Sequence, residues 1–83
     1  MIKVLYFARL RETLGKAGEE LDLPQGSTVA GLMALLAARG EAWSQAFDGC
    51  QPLRAAVNQN LVKNSVTIKD GDEVAFFPPV TGG

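Results

Sequence analysis

The 83-residue chain contains no histidine and only one cysteine, Cys50. Without histidine, Ser-His-Asp triads, Cys-His nucleophile pairs and the usual zinc-finger ligand sets are all excluded. A single cysteine cannot form a disulfide within the chain, which fits a reducing compartment. Thiolate reactivity depends on neighbouring groups, and we interpret Cys50 as an ordinary free thiol in a loop. The chemistry of the protein therefore has to come from another feature.

A dominant charge and long apolar runs are also missing. Eight Lys and Arg against nine Asp and Glu give a net charge of −1, which argues against nucleic acids and membrane surfaces as partners. The apolar start is interrupted by Lys3 and closed by Arg9, so it lacks a signal-peptide core. No run approaches the length of a membrane span. The sequence predicts one small cytoplasmic domain, whose 47% hydrophobic residues suffice for a single core.

The acidic residues form no metal-binding pattern. Glu19, Glu20 and Asp22 lie on a predicted strand, where adjacent side chains point to opposite faces, so we expect a solvated surface there. The acidic segment 70–73 lacks the twelve-residue ligand spacing of a calcium loop and is predicted to form a turn. We therefore expect no bound metal and no bound cofactor.

The order of periodic segments predicts an α+β domain, with one main helix packed across one face of a mixed sheet. The predicted elements, in chain order, are a strand at 2–7, a short helix at 8–14, a strand at 20–23, a helix from 29, a turn of helix around Trp43, strand-like runs at 54–58 and 61–63, an apolar run at 66–68 and a strand at 73–77. In the first strand, Ile2, Val4 and Tyr6 are expected to face the core, because Lys3 is costly to bury. A doubly wound fold is excluded, since it requires several βαβ units.

The main helix has the clearest signals at both ends. Thr28, or Ser27 beside it, is predicted to cap its N-terminus. Apolar residues then follow at helical spacing, namely Val29, Leu32, Met33 and Leu36. Arg39 in the last turn and Gly40 just after it form a predicted C-terminal stop.

The most informative segment is 78–83, Pro-Pro-Val-Thr-Gly-Gly. Its prolines favour extended backbone, and six residues reach at most about 20 Å. Gly82 and Gly83 lack a Cβ, so their backbone could enter a slot too narrow for any side chain. A terminal carboxylate is ionised at neutral pH and becomes a good electrophile only after another enzyme converts it to an acyl-adenylate. The residues alone leave a functional tail and a frayed tail equally open.

Strand alternation also predicts an exposed apolar patch at the root of this tail. Glu73 marks the face that it shares with Phe77 as exposed, and Lys3 does the same for Phe7. If the first and last strands are neighbours, Phe7 and Phe77 come together, and Leu61 could join them. Such a patch is typical of a protein-binding site. A register slip of one residue would instead place one of the phenylalanines in the core.

The last fourteen residues, DGDEVAFFPPVTGG, resemble the C-terminal signature of the small, sulfur-carrier subunit of molybdopterin synthase. The opening MIKVLYF, the segment AAVNQ at 55–59 and the total length are similar as well. The resemblance therefore covers the whole chain and is strongest at its end. It implies the ubiquitin-like β-grasp fold for residues 1–77 and an extended tail at 78–83.

The resemblance implies a sulfur carrier whose terminal Gly83 is adenylated by an ATP-dependent activating enzyme and converted to a thiocarboxylate by a sulfur source. The tail would enter the large synthase subunit, which holds the catalytic pocket, and give its sulfur to cyclic pyranopterin monophosphate. Two carriers would serve a dimer of large subunits in a heterotetramer. By the same resemblance, Gly82 provides backbone clearance. The implied tail-insertion residues are Pro78, Pro79, Val80 and Thr81, and the implied docking residues are Phe7, Leu61 and Phe77.

Three other functions remain open on the sequence. The chain could be a sulfur carrier for thiamine or for tRNA thiolation, although the long Phe-Phe-Pro-Pro-Val-Thr stretch argues against this. It could be a ubiquitin-like modifier that forms isopeptide bonds with lysines. It could also be a β-grasp interaction module with an inert tail.

Overall fold

Five strands and three helices make up the part of the chain that the computed structural model describes, residues 1–47 and 53–78. In chain order they are β1 (Ile2–Tyr6), α1 (Arg9–Leu14), β2 (Gly18–Leu21), α2 (Val29–Ala37), α3 (Glu41–Phe47), β3 (Arg54–Val57), β4 (Asn60–Val62) and β5 (Glu73–Phe77). The predicted α+β class is confirmed, and α2 is the main helix. Within the described ranges, no helix combines the length and apolar character that crossing a membrane requires.

The described strands form one mixed sheet in the order β2-β1-β5-β3-β4. β1 and β5 are parallel neighbours in its centre, and every other pairing is antiparallel. Because parallel strands end at the same edge, Tyr6 and Phe76 are paired there. The amide of Phe7, the residue after β1, also donates to the carbonyl of Phe76, at 3.2 Å. The chain therefore leaves β5 beside Phe7.

One face of the sheet is covered by the helices. Its inward residues on β1 and β5 are Ile2, Val4, Tyr6, Val74 and Phe76. They pack in one cluster with Val29, Leu32 and Leu36 of α2 and with Phe47 of α3. The predicted faces of both central strands are thus confirmed, because all five inward residues are at most 3% exposed.

Helix α2 begins as predicted and ends earlier. The hydroxyl of Thr28 accepts a hydrogen bond from the amide of Gly31 at 3.1 Å, which confirms the N-cap. The C-cap is Ala38 in ordinary right-handed conformation, so the predicted stop at Arg39 and Gly40 is wrong. Gly40 has no left-handed φ, and its carbonyl instead accepts the amide of Ser44 at 2.7 Å in the first turn of α3. The glycine therefore belongs to the start of the next helix.

The second predicted strand differs from the structure in its bounds. β2 covers Gly18–Leu21, whereas the sequence placed the strand through Leu23. The reason is register: Ile2 at the start of β1 pairs with Leu21, so residues beyond Leu21 have no partner strand. Leu23 still packs against the core. The apolar run at 66–68 forms only an isolated bridge between Thr67 and Thr28.

Glu19 is ion-paired at the inner face of the sheet. It pairs with Val4 in the strand register, and its side chain is only 15% exposed. One guanidinium nitrogen of Arg39 donates to both carboxylate oxygens at 2.8 and 2.9 Å, and the Tyr6 hydroxyl donates at 2.7 Å. The same guanidinium lies 4.8 Å from the centroid of the Trp43 ring. The prediction of a solvated acidic surface is therefore wrong for Glu19, although Glu20 and Asp22 are exposed.

This contact network shifts two pKa values. Burial raises the pKa of Glu19, but the hydrogen bonds from Arg39 and Tyr6 outweigh burial and hold this pKa below its usual value. Burial, together with the hydrogen bond to the Glu19 carboxylate, raises the pKa of the Tyr6 hydroxyl far above its usual value. Tyr6 therefore remains a hydrogen-bond donor throughout the physiological range.

We expect Glu19 to make the fold sensitive to acid. Its folded-state pKa lies below its unfolded one, so its stabilising effect is full above the unfolded pKa of about 4.3. The effect is lost as the pH falls through the folded-state pKa. Glu19→Gln should lower the free energy of unfolding at pH 7 by about 1–2 kcal/mol, because charge-assisted hydrogen bonds are lost. Denaturant unfolding at pH 7 and pH 3.5 measures both effects.

The matched control is Glu12→Gln, on an exposed residue of α1 with no side-chain ion pair among the described residues. The pKa of Asp72 is also lowered, by hydrogen bonds from the Lys69 amide and the Asn58 side chain. That contribution is common to all variants and cancels in the comparison. Equal acid sensitivity of Glu19→Gln and the native chain would contradict the assignment to Glu19.

Candidate docking surface and tail root

The face of the sheet opposite the helices carries an apolar surface. We call this surface the outer apolar patch; its members are Leu5, Phe7, Ala56, Leu61, Ala75 and Phe77. Leu61 is 65% exposed and Phe7 is 46% exposed, while Leu5, Ala75 and Phe77 are half-buried. Ala56 is 8% exposed yet lies outside the core cluster, because its side chain belongs to this other face.

Strand register brings the patch together in two rows. The first row runs Leu5, Ala75, Ala56 and Leu61, each paired with the next across β1, β5, β3 and β4. The second row lies at the end of β5. Continuing the pairing of Tyr6 with Phe76 by one residue places Phe7 beside Phe77. The neighbouring position of β1 and β5, on which the predicted approach of Phe7 and Phe77 depends, is observed, and Leu61 lies on the same face. Ala75 lies on the predicted outward face of β5, whereas sequence reasoning assigned no face to Ala56, which lies between Ala75 and Leu61 in the register.

A tight hairpin turn positions Leu61. Asn58 and Gln59 have φ values of 50° and 72°, as a two-residue turn between antiparallel strands requires. The Asn58 side chain also accepts the amide of Glu73 and donates to Asp72, both at 3.0 Å. The turn is thereby tied to the start of β5. This tie fixes the β3–β4 hairpin, and with it Leu61, relative to Phe77.

A strained turn follows Phe7. Ala8 has φ 55° and ψ −128°, the conformation of the first central residue of a type II′ turn, which glycine usually occupies. The Phe7 carbonyl accepts the amide of Leu10 at 3.2 Å across this turn. For a residue with a Cβ, such a conformation costs on the order of 1–3 kcal/mol. The turn ends β1 directly after Phe7 and starts α1.

The tail begins at the edge of the outer apolar patch. Pro78 follows β5 and is half-buried. The other predicted tail-insertion residues, Pro79, Val80 and Thr81, lie outside the described residues, as do Gly82, Gly83 and Cys50. Among the described residues, no group of three or more His, Cys, Asp or Glu side chains could hold a metal ion. What the patch itself offers is hydrocarbon contact area for another protein.

Comparison with known proteins places the chain in a family. The family model described as ThiS family matches residues 4–83. The chain belongs to the ThiS family. Its relatives include the molybdopterin synthase sulfur carrier subunits of Escherichia coli, 49% identical over the full length of both chains, and of Haemophilus influenzae, 40% identical over the full length of both.

A solved structure of similar fold is that of small archaeal modifier protein 1 from Methanosarcina acetivorans. It is 28% identical to this chain, with a TM-score of 0.74, and the match covers 99% of this chain and 95% of the modifier. The structural neighbours of this ThiS-family chain confirm the predicted ubiquitin-like β-grasp fold. The resemblance seen in the sequence is confirmed by the family match and by the full-length relatives.

Proposed function

We propose that this chain is the sulfur-carrier subunit of a molybdopterin synthase and acts in molybdenum cofactor biosynthesis. The observation that carries the proposal is the 49% identity to the Escherichia coli sulfur carrier subunit, which extends over the full length of both chains. The geometry of the described residues supports it, because β5 ends at Phe77 within the outer apolar patch and Pro78 follows directly. In this proposal, residues 1–77 are the folded domain and residues 78–83 are the tail.

The outer apolar patch docks on the large subunit of the synthase. Phe7, Leu61 and Phe77 supply the largest apolar side chains, and aromatic residues are typical anchors of protein interfaces. The prolines keep the tail extended, and its six residues reach at most about 20 Å into the partner. The tail thus connects a docked surface to a catalytic pocket that the large subunit supplies.

The chemistry takes place at the carboxylate of Gly83. Its oxygen attacks the α-phosphorus of ATP in an activating enzyme, which releases pyrophosphate and leaves an acyl-adenylate. A sulfur source displaces AMP and leaves a thiocarboxylate. In the large subunit, the sulfur passes to cyclic pyranopterin monophosphate, and an oxygen from water restores the carboxylate. The carrier is therefore the sulfur-donating subunit of a sulfurtransferase.

Gly82→Val tests the proposed narrow passage for the tail. We expect the variant to fold normally and to be adenylated or docked poorly, because a β-branched side chain fills the slot and restricts the backbone. Adenylation by the activating enzyme and transfer in the assembled synthase are the two measurements. Normal rates in both would show that the passage is not narrow.

The matched control is Gly40→Val, which makes the same chemical change in the folded domain. A Cβ at Gly40 would meet only the Trp43 ring at 3.9 Å, an ordinary contact, and the position has no left-handed φ. This control should leave adenylation and transfer at the native rates.

A second candidate function is that of a ubiquitin-like protein modifier. The fold match to small archaeal modifier protein 1 favours it. A ladder of conjugates in cell extract, absent when Gly83 is deleted, would support this function. Loss of sulfur transfer without any such ladder would support the carrier function alone, and no effect at all would indicate an inert tail.

A further inference from the structure

Two cations lie side by side at the edge of the outer apolar patch. Arg54 of β3 pairs with Phe77 of β5, so the two side chains share the outer face. Lys63 follows β4 directly, and the pairing of Ala55 with Val62, continued by one residue, places Lys63 opposite Arg54 on that face. Both residues are exposed. We call Arg54 and Lys63 the basic pair.

The described part of the fold shows no stabilising ion pair for the basic pair. Like charges directly opposite on neighbouring strands destabilise a sheet, and among the described residues neither side chain has an ion-pair partner. The other end of the same face is arranged differently. There Lys3 of β1 lies between Glu20 of β2 and Glu73 of β5, so its charge is balanced on both sides. Within the described strands, Lys3 has a carboxylate residue in the paired position on each side, whereas Arg54 and Lys63 have none.

The position of the basic pair beside the start of the tail indicates which partner group neutralises its charge. Pro78, where the tail begins, is the next residue after Phe77. A tail extended over six residues can carry its reactive end up to about 20 Å away, so we assign Arg54 and Lys63, which flank the start of the tail, to the docking surface rather than to the reacting end. What covers these two residues is the protein surface that docks on the outer apolar patch.

We propose that the partner surface covering the outer apolar patch presents carboxylates to Arg54 and Lys63. This inference rests on the proposed function, because it takes the large synthase subunit as the partner. Charges at the rim of an interface mainly set the association rate and its dependence on salt. The basic pair therefore speeds docking and orients the carrier so that the tail points to the pocket.

The test measures binding kinetics of the full-length chain to the purified large subunit of the same organism, at low and at high sodium chloride. Arg54→Gln and Lys63→Gln are each expected to slow association about three- to tenfold at low salt, with a smaller effect at high salt. Neither variant should be less stable than the native chain, because each removes one member of a repelling pair. Lys69→Gln is the charge-matched control on an exposed residue at the opposite end of β5, and should bind like the native chain.

Each outcome decides a different point. If the native chain binds and both variants bind with native rates and native salt dependence, the carboxylate proposal is overturned while the proposed function stands. If the native chain itself fails to bind the large subunit, the proposed function is wrong. The present inference is then wrong as well, because it rests on that function.

Discussion

A chain extended by one residue beyond Gly83 is expected to fold normally and to transfer no sulfur. The extension displaces the reactive carboxylate from the position at which the activating enzyme would adenylate it. The folded domain should be unaffected, because the described core residues all lie between Ile2 and Phe76, before the added residue. Thermal unfolding measures the first expectation, and product formation by the assembled synthase measures the second.

The control is to restore the native C-terminus of the extended chain. Removal of the extra residue by a carboxypeptidase should restore transfer, which separates a displaced carboxylate from a damaged protein. Full activity in a form whose mass shows that it keeps the extra residue would contradict the role of Gly83.

Phe76→Ala is expected to destabilise the domain, whereas Phe77→Ala should weaken the complex. Phe76 is fully buried, and its ring centroid lies 5.2 Å from that of Phe47 in an edge-on contact. Its truncation should cost about 3–5 kcal/mol of unfolding free energy. Phe77 is half-buried on the opposite face, so its truncation should cost no more than about 1 kcal/mol of stability. It should weaken binding to the large subunit by about 1–3 kcal/mol, as for an aromatic anchor.

The two variants serve as controls for each other. They delete the same side chain at adjacent positions of β5, so they differ only in the face of the sheet that loses it. Thermal unfolding and large-subunit affinity are measured for both. If Phe77→Ala unfolds the domain while Phe76→Ala only weakens the complex, the assignment of the docking face to the outer apolar patch is inverted.

The faces of the central strands could be predicted because each carries a charged marker. Lys3 and Glu73 identify the outward set in β1 and β5, and the same alternation places Phe7 and Phe77 outside. The neighbouring strand β3 has a charged residue only at its first position, Arg54, and its next three residues are all apolar. Ala55 and Ala56 are both apolar and both buried, one in the core and one in the outer apolar patch. The place of Ala56 in the outer apolar patch therefore followed only from the observed register, whereas Ala75 shares the outward face that Glu73 marks.

The remaining differences have two causes, a contact between segments far apart in sequence and a stop signal that belongs to the next helix. The carboxylate of Glu19 is held at the inner face by Arg39, twenty residues away, and by Tyr6 on the adjacent strand. Strand alternation alone gives no indication of such partners. The end of α2 at Ala37 was likewise misjudged, because Gly40 is a typical stop signal that here precedes another helix.

Intact-protein mass spectrometry of the chain isolated from cells that make the molybdenum cofactor tests the central claim most directly. The proposal predicts a fraction of molecules heavier by the mass difference between one sulfur and one oxygen atom. The added mass should map to the C-terminal peptide containing Gly83 and should be absent from the chain extended beyond Gly83. Finding only the unmodified mass in such cells, with the activating enzyme present and active, would contradict the assignment of this protein as a sulfur carrier.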